Sequence, residues 1–367
     1  MLIIAIETLG GGGAERVALD LVRHWPRDHA TPVLLVASRR GEYAVDLPPD
    51  FPILEVGVSS SPWNTPRFLN RLRGLLQGRK IAGVISHMTG MNRMMIRARL
   101  AGIIRAPIVV VEHNNFLSNY GVAEMPRLWS WLLRKEIGFL YRKAHAVVGC
   151  SQGVASQVGK LFPINPNRVH AIVNPLDRRF LERAGDRPIA AWFRKLPRPI
   201  LVSVGRMVPQ KGFDDLIRAF AMQREGSLVI LGEGPLRPEL EALAQNLGVA
   251  DRIAMPGFLN APEQILQAAD LYVSSSHFEG YPLTLIEAYA CGLPVVARAC
   301  NFGPAEIVRP DRPGRLVQSW DVADLASAIT DCLRSETRFP PGTAVDLSEN
   351  DPSFVAARYR DLFLQAR

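Results

Sequence analysis

The sequence predicts an α/β protein of two doubly wound domains, each built on a parallel sheet and facing the other across a cleft. Three observations predict it. Short runs of Val, Ile and Leu alternate with amphipathic stretches along most of the chain. The alternation breaks once, over residues 181–198, and then restarts. The length, 367 residues, suits two domains better than one.

In the first half the strand candidates are LIIAIE, TPVLLVAS, PILEVGV, IAGVISH, PIVVVEH, HAVVGCS and RVHAIV. Near-continuous apolar runs of this kind suit strands buried on both faces. Helical spacing fills the gaps between most of them, as in AERVALDLVRHW and SQGVASQVGKLF. Strand–helix alternation implies parallel pairing with right-handed crossovers. This gives a first domain over 1–180.

LERAGDRPIAAWFRKLPRP is rich in charge and proline and reads as a linker over 181–198. PILVSVG, SLVILGEG, RIAMPGF, DLYVSSS, PVVARA and GRLVQ then repeat the pattern, giving a second domain over 199–345. SFVAARYRDLFLQAR has helical spacing and reads as a closing helix over 350–367. Two doubly wound sheets bind ligands outside their strands' carboxyl ends, which is where the cleft is expected.

Composition narrows the class. Hydrophobic residues make up 48% and charged residues 21%, ordinary values for a globular chain. Four cysteines, Cys150, Cys291, Cys300 and Cys332, show no zinc spacing and read as reduced thiols of a cytosolic protein. MLIIAIETLGGGG has no basic leader and reads as a strand entering a glycine loop, not as a signal peptide. No apolar run reaches the ~18–20 residues that span a bilayer. The net charge of +8 is uneven: residues 1–180 carry 23 Lys+Arg against 12 Asp+Glu, and residues 181–367 carry 20 against 23. A basic first half suggests a face that meets something anionic.

The second half carries the most informative motifs. VGRMVPQKGFDDL places Gly205, Arg206 and Lys211 in a strand-to-helix loop, with the helix starting near Phe213. Two cations at a strand's carboxyl end suit a diphosphate, although either alone reads equally well as a surface cation. HFEGYPLTLIEAYACG reads as a turn entering a helix. Its amides at Gly280, Tyr281, Pro282 and Leu283 surround a helix N-terminus, which favours an anion. (Pro282 itself supplies no N–H.) Glu279 lies before the turn, and Glu287 lies inside the helix. A carboxylate can accept both hydroxyls of a ribose. Thr284 and Glu287 also have the spacing of a capping box, which gives Glu287 a purely structural alternative.

Taken together, the GG-A-E-R loop, the S-x-G-R run with K-G five residues on, and F-E-G-Y-P-L-T-L-I-E-A resemble retaining glycosyltransferases of family 4, group 1. Those enzymes have the GT-B fold of two Rossmann-like domains. The resemblance covers the chain from Gly12 to about Val317. It implies that Glu287 binds the donor ribose, that Glu279 approaches the transferred sugar, and that Arg206 and Lys211 hold the diphosphate. It places Gly12 and Gly13 near the donor phosphates and the acceptor, with Glu15 and Arg16 following on the helix. His113, in VVEHNN, is implied as a catalytic residue near the reacting carbon; from the residues alone it reads as a hydrogen-bonded structural histidine. His87, in VISHMTG, and Asn174, in IVNPLD, are further acceptor-site candidates. One departure is Ala299, where relatives often carry aspartate before C-x-x-G-P-x-E-I-V.

The resemblance implies a metal-independent hexosyltransferase that moves a hexose or N-acetylhexosamine from a nucleotide sugar, UDP before GDP, with retention. A donor phosphate oxygen accepts the acceptor's proton. No D-x-D run is present to hold a divalent cation on the diphosphate. No cofactor is expected, because the nucleotide sugar is a substrate. The acceptor is expected to be a glycan, lipid-linked, in polysaccharide or lipopolysaccharide assembly. The protein is expected in the cytoplasm or at the inner face of the cytoplasmic membrane.

Two basic amphipathic stretches fit an anionic membrane surface. One has Trp63, Phe68, Leu72 and Leu76 beside Arg67, Arg71, Arg73, Arg79 and Lys80; the other has Trp129, Trp131 and Leu140 beside Arg127, Arg134, Lys135, Arg142 and Lys143. The alternative is that each apolar face packs on the sheet. The first stretch leans towards the membrane reading.

Three rivals remain. An NADP-dependent oxidoreductase would use TLGGGGAER with Arg39 and Arg40, but Glu15 stands where a third glycine belongs. A nucleic-acid binder has only charge in its favour, with no recognisable motif. A sugar-phosphate synthase or phosphorylase would keep the fold and change the reaction.

Overall fold

The computed structural model describes residues 1–26, 28, 30–45, 47–119, 125–177, 189–259, 262–334 and 345–364. The chain divides into two compact units, Met1–Leu176 with Ser348–Arg367, and Asp177–Leu347. Residues 178–180, residues 181–188 of the expected linker and residues 365–367 of the expected closing helix lie outside the described residues.

The N-terminal unit holds strands β1 (Leu2–Ile6), β2 (Pro32–Val36), β3 (Ile53–Glu55), β4 (Gly83–His87), β5 (Ile108–Glu112), β6 (Ala146–Gly149) and β7 (Val169–Ala171). They form one parallel sheet in the order β3-β2-β1-β4-β5-β6-β7. Its helices are α1 (Gly13–His24), α2 (Thr65–Leu76), α3 (Thr89–Leu100), α4 (Phe116–Asn119), α5 (Arg127–Tyr141) and α6 (Gln152–Leu161). Strands β1, β4, β5 and β6 are buried at every position, as their unbroken Val/Ile runs require.

The second unit holds β8 (Ile200–Val204), β9 (Ser227–Leu231), β10 (Ile253–Gly257), β11 (Leu271–Ser274), β12 (Val295–Arg298) and β13 (Gly314–Val317) in the order β10-β9-β8-β11-β12-β13. Its helices are α7 (Phe213–Ala221), α8 (Arg237–Asn246), α9 (Glu263–Ala268), α10 (Leu283–Ala290), α11 (Pro304–Ile307) and α12 (Val322–Arg334). The core between sheet and helices includes Leu201, Phe213, Phe220, Ile230, Val273 and Ile329.

The last helix, α13 (Pro352–Leu364), belongs to the N-terminal unit. Arg358 donates to the Ala171 carbonyl at 2.8 Å, and a His145 ring nitrogen lies 2.9 Å from the Leu362 carbonyl. Phe363 packs where a side chain on Gly83 would stand, with its ring 2.7 Å from the position of a Cβ there.

These orders fix where ligands can bind. In each sheet the strand order reverses at one point, between β1 and β4 in the first and between β8 and β11 in the second. Loops leaving neighbouring strands diverge there and open a crevice. The loop after β1 is Glu7–Gly12, and β4 ends at His87. The loop after β8 starts at Gly205, and the one after β11 starts at Ser275. Most of the expected site residues therefore lie at or next to the two switch points, whereas Asn174 follows β7 at the edge of the first sheet.

Candidate functional site

At the second switch point, two loops are joined by several bonds. His277 donates its amide to Gln210 O at 2.8 Å, and Gln210 Nε2 donates to Phe278 O at 2.9 Å. Ser275 Oγ donates to Lys211 O at 3.0 Å. Gly212 makes this approach possible. Its φ is +57°, and a Cβ there would meet Ser275 O at 2.5 Å. The stem of Lys211 crosses Gly205, whose own Cβ would lie 3.0 Å from Lys211 Cε.

The result is a charge pair. Lys211 Nζ lies 2.6 Å from Glu279 Oε1, and Ser276 Oγ donates to the same oxygen at 2.8 Å. Glu279 is buried and its backbone is fixed on both sides: its amide donates to Asn301 O and its carbonyl accepts from Phe302, each at 2.8 Å. Arg206 is exposed on the adjoining loop and makes no ion pair among the described residues. Gly280, Tyr281 and Pro282 lead into α10 and are buried.

Glu287 is buried in the second turn of α10. The capping-box alternative is overturned here. The helix is capped at Pro282, without a side-chain hydrogen bond, so it starts at Leu283. Thr284 is therefore already inside the helix, and its hydroxyl hydrogen-bonds with Tyr272. Burial pushes the Tyr272 hydroxyl up, so it stays protonated.

At the first switch point, the glycine loop enters α1, with Gly12 as N-cap and Gly13 as first helical residue. Glu15 folds back over Gly12, where a Cβ would meet its Oε2 at 2.6 Å. Arg16 follows in the first turn. The loop after β2 clamps this segment. Leu9 donates to Arg40 O at 2.9 Å, Tyr43 donates to Leu9 O at 3.0 Å, and the Gly11 amide donates to Glu42 Oε2 at 2.8 Å.

His87 and His113 end β4 and follow β5. His87 Nδ1 lies 2.8 Å from His113 Nε2, with ring centroids 5.0 Å apart. Burial keeps both rings neutral. It lowers His113 to about 4 and His87 well below the usual histidine value, with His113 a second cause for His87. At the end of β5, next to His113 in the chain, the Glu112 carboxyl accepts from Thr89 at 2.8 Å, from Asn92 at 3.2 Å and from Tyr141. Burial raises the Glu112 carboxyl, and these donors hold it down in part.

Two family profiles match the chain: "Glycosyltransferase Family 4" over residues 11–180 and "Glycosyl transferases group 1" over residues 188–352. The chain belongs to glycosyltransferase family 4, group 1. A Campylobacter jejuni relative, N-acetylgalactosamine-N,N'-diacetylbacillosaminyl-diphospho-undecaprenol 4-alpha-N-acetylgalactosaminyltransferase, is 29% identical over 86% of this chain and 85% of its own. Among solved structures, the lipopolysaccharide outer core galactosyltransferase WaaB in its apo form aligns with a TM-score of 0.73 and 18% identity. That match covers 100% of this chain and 99% of its own. Anabaena HepE in complex with UDP and glucose aligns with a TM-score of 0.75 and 17% identity, over 100% of this chain and 97% of its own. Both share the GT-B fold of two Rossmann-like units.

In this glycosyltransferase, the expected residues Gly205, Lys211, Glu279, Gly280 and Pro282 come together at one switch point, with Arg206 beside them and Glu287 on the adjoining helix. His87 and His113 come together at the other. Asn174 lies elsewhere in the N-terminal unit: it is buried, and its carbonyl accepts from Asn350 Nδ2 at 2.8 Å, beside the return of the chain.

Several site neighbours were not read from the sequence. Ser276, Gln210 and Glu42 act through contacts between distant loops. Arg298 is fully buried, pairs with Asp215 and lies 5.4 Å from the Trp320 ring. Asp215 also meets His277 Nε2 at 3.5 Å, so this group braces the start of α7 against the Glu279 loop. A sequence signal existed only for Ser276, which immediately precedes the H-F-E-G run.

The two basic stretches of the enzyme differ. Helix α2 buries Phe68, Leu72 and Leu76, leaving its cations in solvent and Trp63 exposed. Its apolar face is therefore used by the core, against the membrane leaning. Helix α5 is held inward by Glu136, which pairs with Arg93 and Arg97 of α3. It leaves Leu128, Trp129, Trp131, Leu132 and Phe139 exposed, with Trp129 65% and Trp131 51% accessible. Among the described residues, no helix is long and apolar enough to cross a membrane.

Proposed function

We propose that this enzyme transfers a hexose or N-acetylhexosamine, with retention, from a UDP-sugar to a lipid-linked glycan acceptor at an anionic membrane surface. The observation that carries the reading is the Lys211–Glu279 pair at the second switch point, with Arg206 and the start of α10 beside it. In the free protein, Glu279 neutralises Lys211. A bound diphosphate would draw the ammonium to itself and release Glu279 to accept hydroxyls of the transferred sugar. Glu287 would accept the ribose hydroxyls.

As the anomeric bond breaks, charge builds on the leaving diphosphate. Arg206, Lys211 and the α10 N-terminus would stabilise that charge without moving. The acceptor enters on the same face, and a donor phosphate oxygen takes its proton. Neutral His113 would hydrogen-bond to the reacting sugars. Transfer is metal-independent in this reading, because the protein's own cations serve the diphosphate.

Two relatives support the choice of substrates. The C. jejuni protein is named for a diphospho-undecaprenol acceptor, and HepE was solved with UDP and glucose. The exposed tryptophans of α5, flanked by Arg127, Lys135, Arg142 and Lys143, suit an anionic lipid surface.

The test is product analysis by NMR after incubation with UDP-sugars and polyprenyl-diphosphate glycans in excess EDTA. The reading requires an axial-to-axial outcome at the anomeric carbon from an α-linked donor. An inverted product would sink retention, and activity restored only by Mn²⁺ would sink metal independence.

A further inference from the structure

Both side-chain donors to Glu279 fall on one oxygen. Lys211 Nζ lies 2.6 Å from Oε1, and Ser276 Oγ lies 2.8 Å from the same atom. Oε2 takes no donor from the described residues and, unlike the buried orphan atoms of the chain, is open to solvent. The carboxylate is therefore asymmetric. Oε1 is held by the protein, and Oε2 is left for a ligand.

The two donors are not equivalent. Lys211 carries the charge that a diphosphate would draw to itself. Ser276 is uncharged and buried, so a diphosphate exerts no comparable pull on it. Against a carboxylate oxygen a hydroxyl can only donate, so the direction of this bond is fixed.

Ser276 is also held independently of the ammonium. Both of its chain neighbours are tied to the Lys211 loop by other bonds. Ser275 Oγ donates to Lys211 O at 3.0 Å, and the His277 amide donates to Gln210 O at 2.8 Å. The lysine side chain can swing while these bonds stay. The Glu279 backbone is fixed through Asn301 and Phe302. Once Lys211 turns away, only the side-chain torsions of Glu279 are free to change. Ser276 is then the one side-chain donor left to set them among the described residues.

We propose that Ser276 is a positioning residue for the transferred sugar. It holds Glu279 by Oε1 when Lys211 moves to the diphosphate, and so keeps Oε2 presented to a sugar hydroxyl. The inference rests on the reading that Lys211 serves the diphosphate and Glu279 the sugar.

A crystal structure of the full chain with UDP tests it first. Lys211 Nζ is expected on a phosphate oxygen, with Ser276 Oγ still on Glu279 Oε1. A Glu279 carboxylate that leaves Ser276 when Lys211 leaves overturns the inference, and this readout needs no variant. Lys211 still paired with Glu279 when UDP is bound overturns instead the reading on which the inference rests.

Calorimetric titration with UDP, UDP-glucose, UDP-galactose and their N-acetylamino counterparts supplies the second arm. Ser276→Ala is expected to keep UDP affinity within about twofold and to weaken the tightest-binding UDP-sugar about tenfold or more. Ser276→Thr, which keeps the hydroxyl, is expected to recover most of that loss. If Ser276→Ala loses affinity for UDP and UDP-sugar alike, Ser276 merely shapes the loop, and the inference falls. It falls too if Ser276→Ala binds the UDP-sugar as wild type does while Glu279→Ala binds it weakly. Wild-type affinity for the UDP-sugar in Glu279→Ala would overturn the reading of Glu279 itself.

Discussion

Lys211 Nζ and Glu279 Oε1 lie 2.6 Å apart across two loops that leave neighbouring strands at a topological switch point. The side chains are 18% and 8% exposed, so the pair is largely removed from water. Neither partner is cheap to leave alone. Lys211→Met should therefore destabilise the C-terminal unit by about 1–3 kcal/mol, and Glu279→Gln by less, because Ser276 can still bond the amide. Urea unfolding at pH 7 measures both. If Lys211→Met matches the wild type, the pair is not a structural element of the free protein.

The glycine at the end of the phosphate-side loop is a second test. Gly212→Ala places a methyl group 2.5 Å from Ser275 O at a φ that alanine avoids. The loop must move, and Lys211 moves with it. UDP affinity should fall at least about tenfold, on the order of 1.4 kcal/mol, while the far-UV spectrum is unchanged. Calorimetric titration with UDP checks it.

The histidine pair makes stability depend on pH. Both rings titrate below the ordinary histidine value in the folded protein, His113 at about 4. Between roughly pH 4 and 6.5 the unfolded chain therefore binds more protons. The contribution is fully present above ~6.5 and is lost as pH falls towards 4. Burial raises Glu112, which acts in the opposite sense. The comparison must therefore be made between wild type and the His87→Gln/His113→Gln double variant. Wild type should lose roughly 1–3 kcal/mol more than the variant between pH 7 and 4. Parallel pH profiles of urea midpoints would contradict this.

Membrane binding should reside on α5 and not on α2. Trp129→Ser/Trp131→Ser should weaken co-sedimentation with anionic vesicles about tenfold or more, and 0.5 M salt should weaken wild-type binding. Arg67→Ser/Arg71→Ser should have a smaller effect. Equal sedimentation with neutral and anionic vesicles would remove the membrane from the account.

Much of the fold was legible in the sequence because strands buried on both faces leave a plain signal. LIIAIE, PIVVVEH and PILVSVG admit little else, and each became a strand. The loops bearing Gly205 to Lys211 and Glu279 to Leu283 were legible as loops for the same reason. Their pairing was not. Local periodicity does not state that Lys211 reaches Glu279, 68 positions away, or that Glu42 holds the Gly11 amide. The capping-box reading of Thr284 and Glu287 failed because the helix is capped at Pro282, two residues before Thr284. For α2 and α5 the sequence showed two similar basic amphipathic helices. Which one keeps its apolar side outward depends on the Arg93 and Arg97 contacts to Glu136, which fix how α5 is turned.

The most direct measurement is the thermal stabilisation produced by UDP, GDP, ADP and NADP on wild type, Arg206→Ala and Glu287→Ala. A ligand at 100 times its Kd adds about 2.7 kcal/mol. For units of this size that is roughly 5–10 °C. The account predicts a shift of this size with UDP, little with NADP, and loss of the UDP shift in both variants. A UDP shift that survives in Arg206→Ala and Glu287→Ala, or a shift with NADP alone, would contradict it.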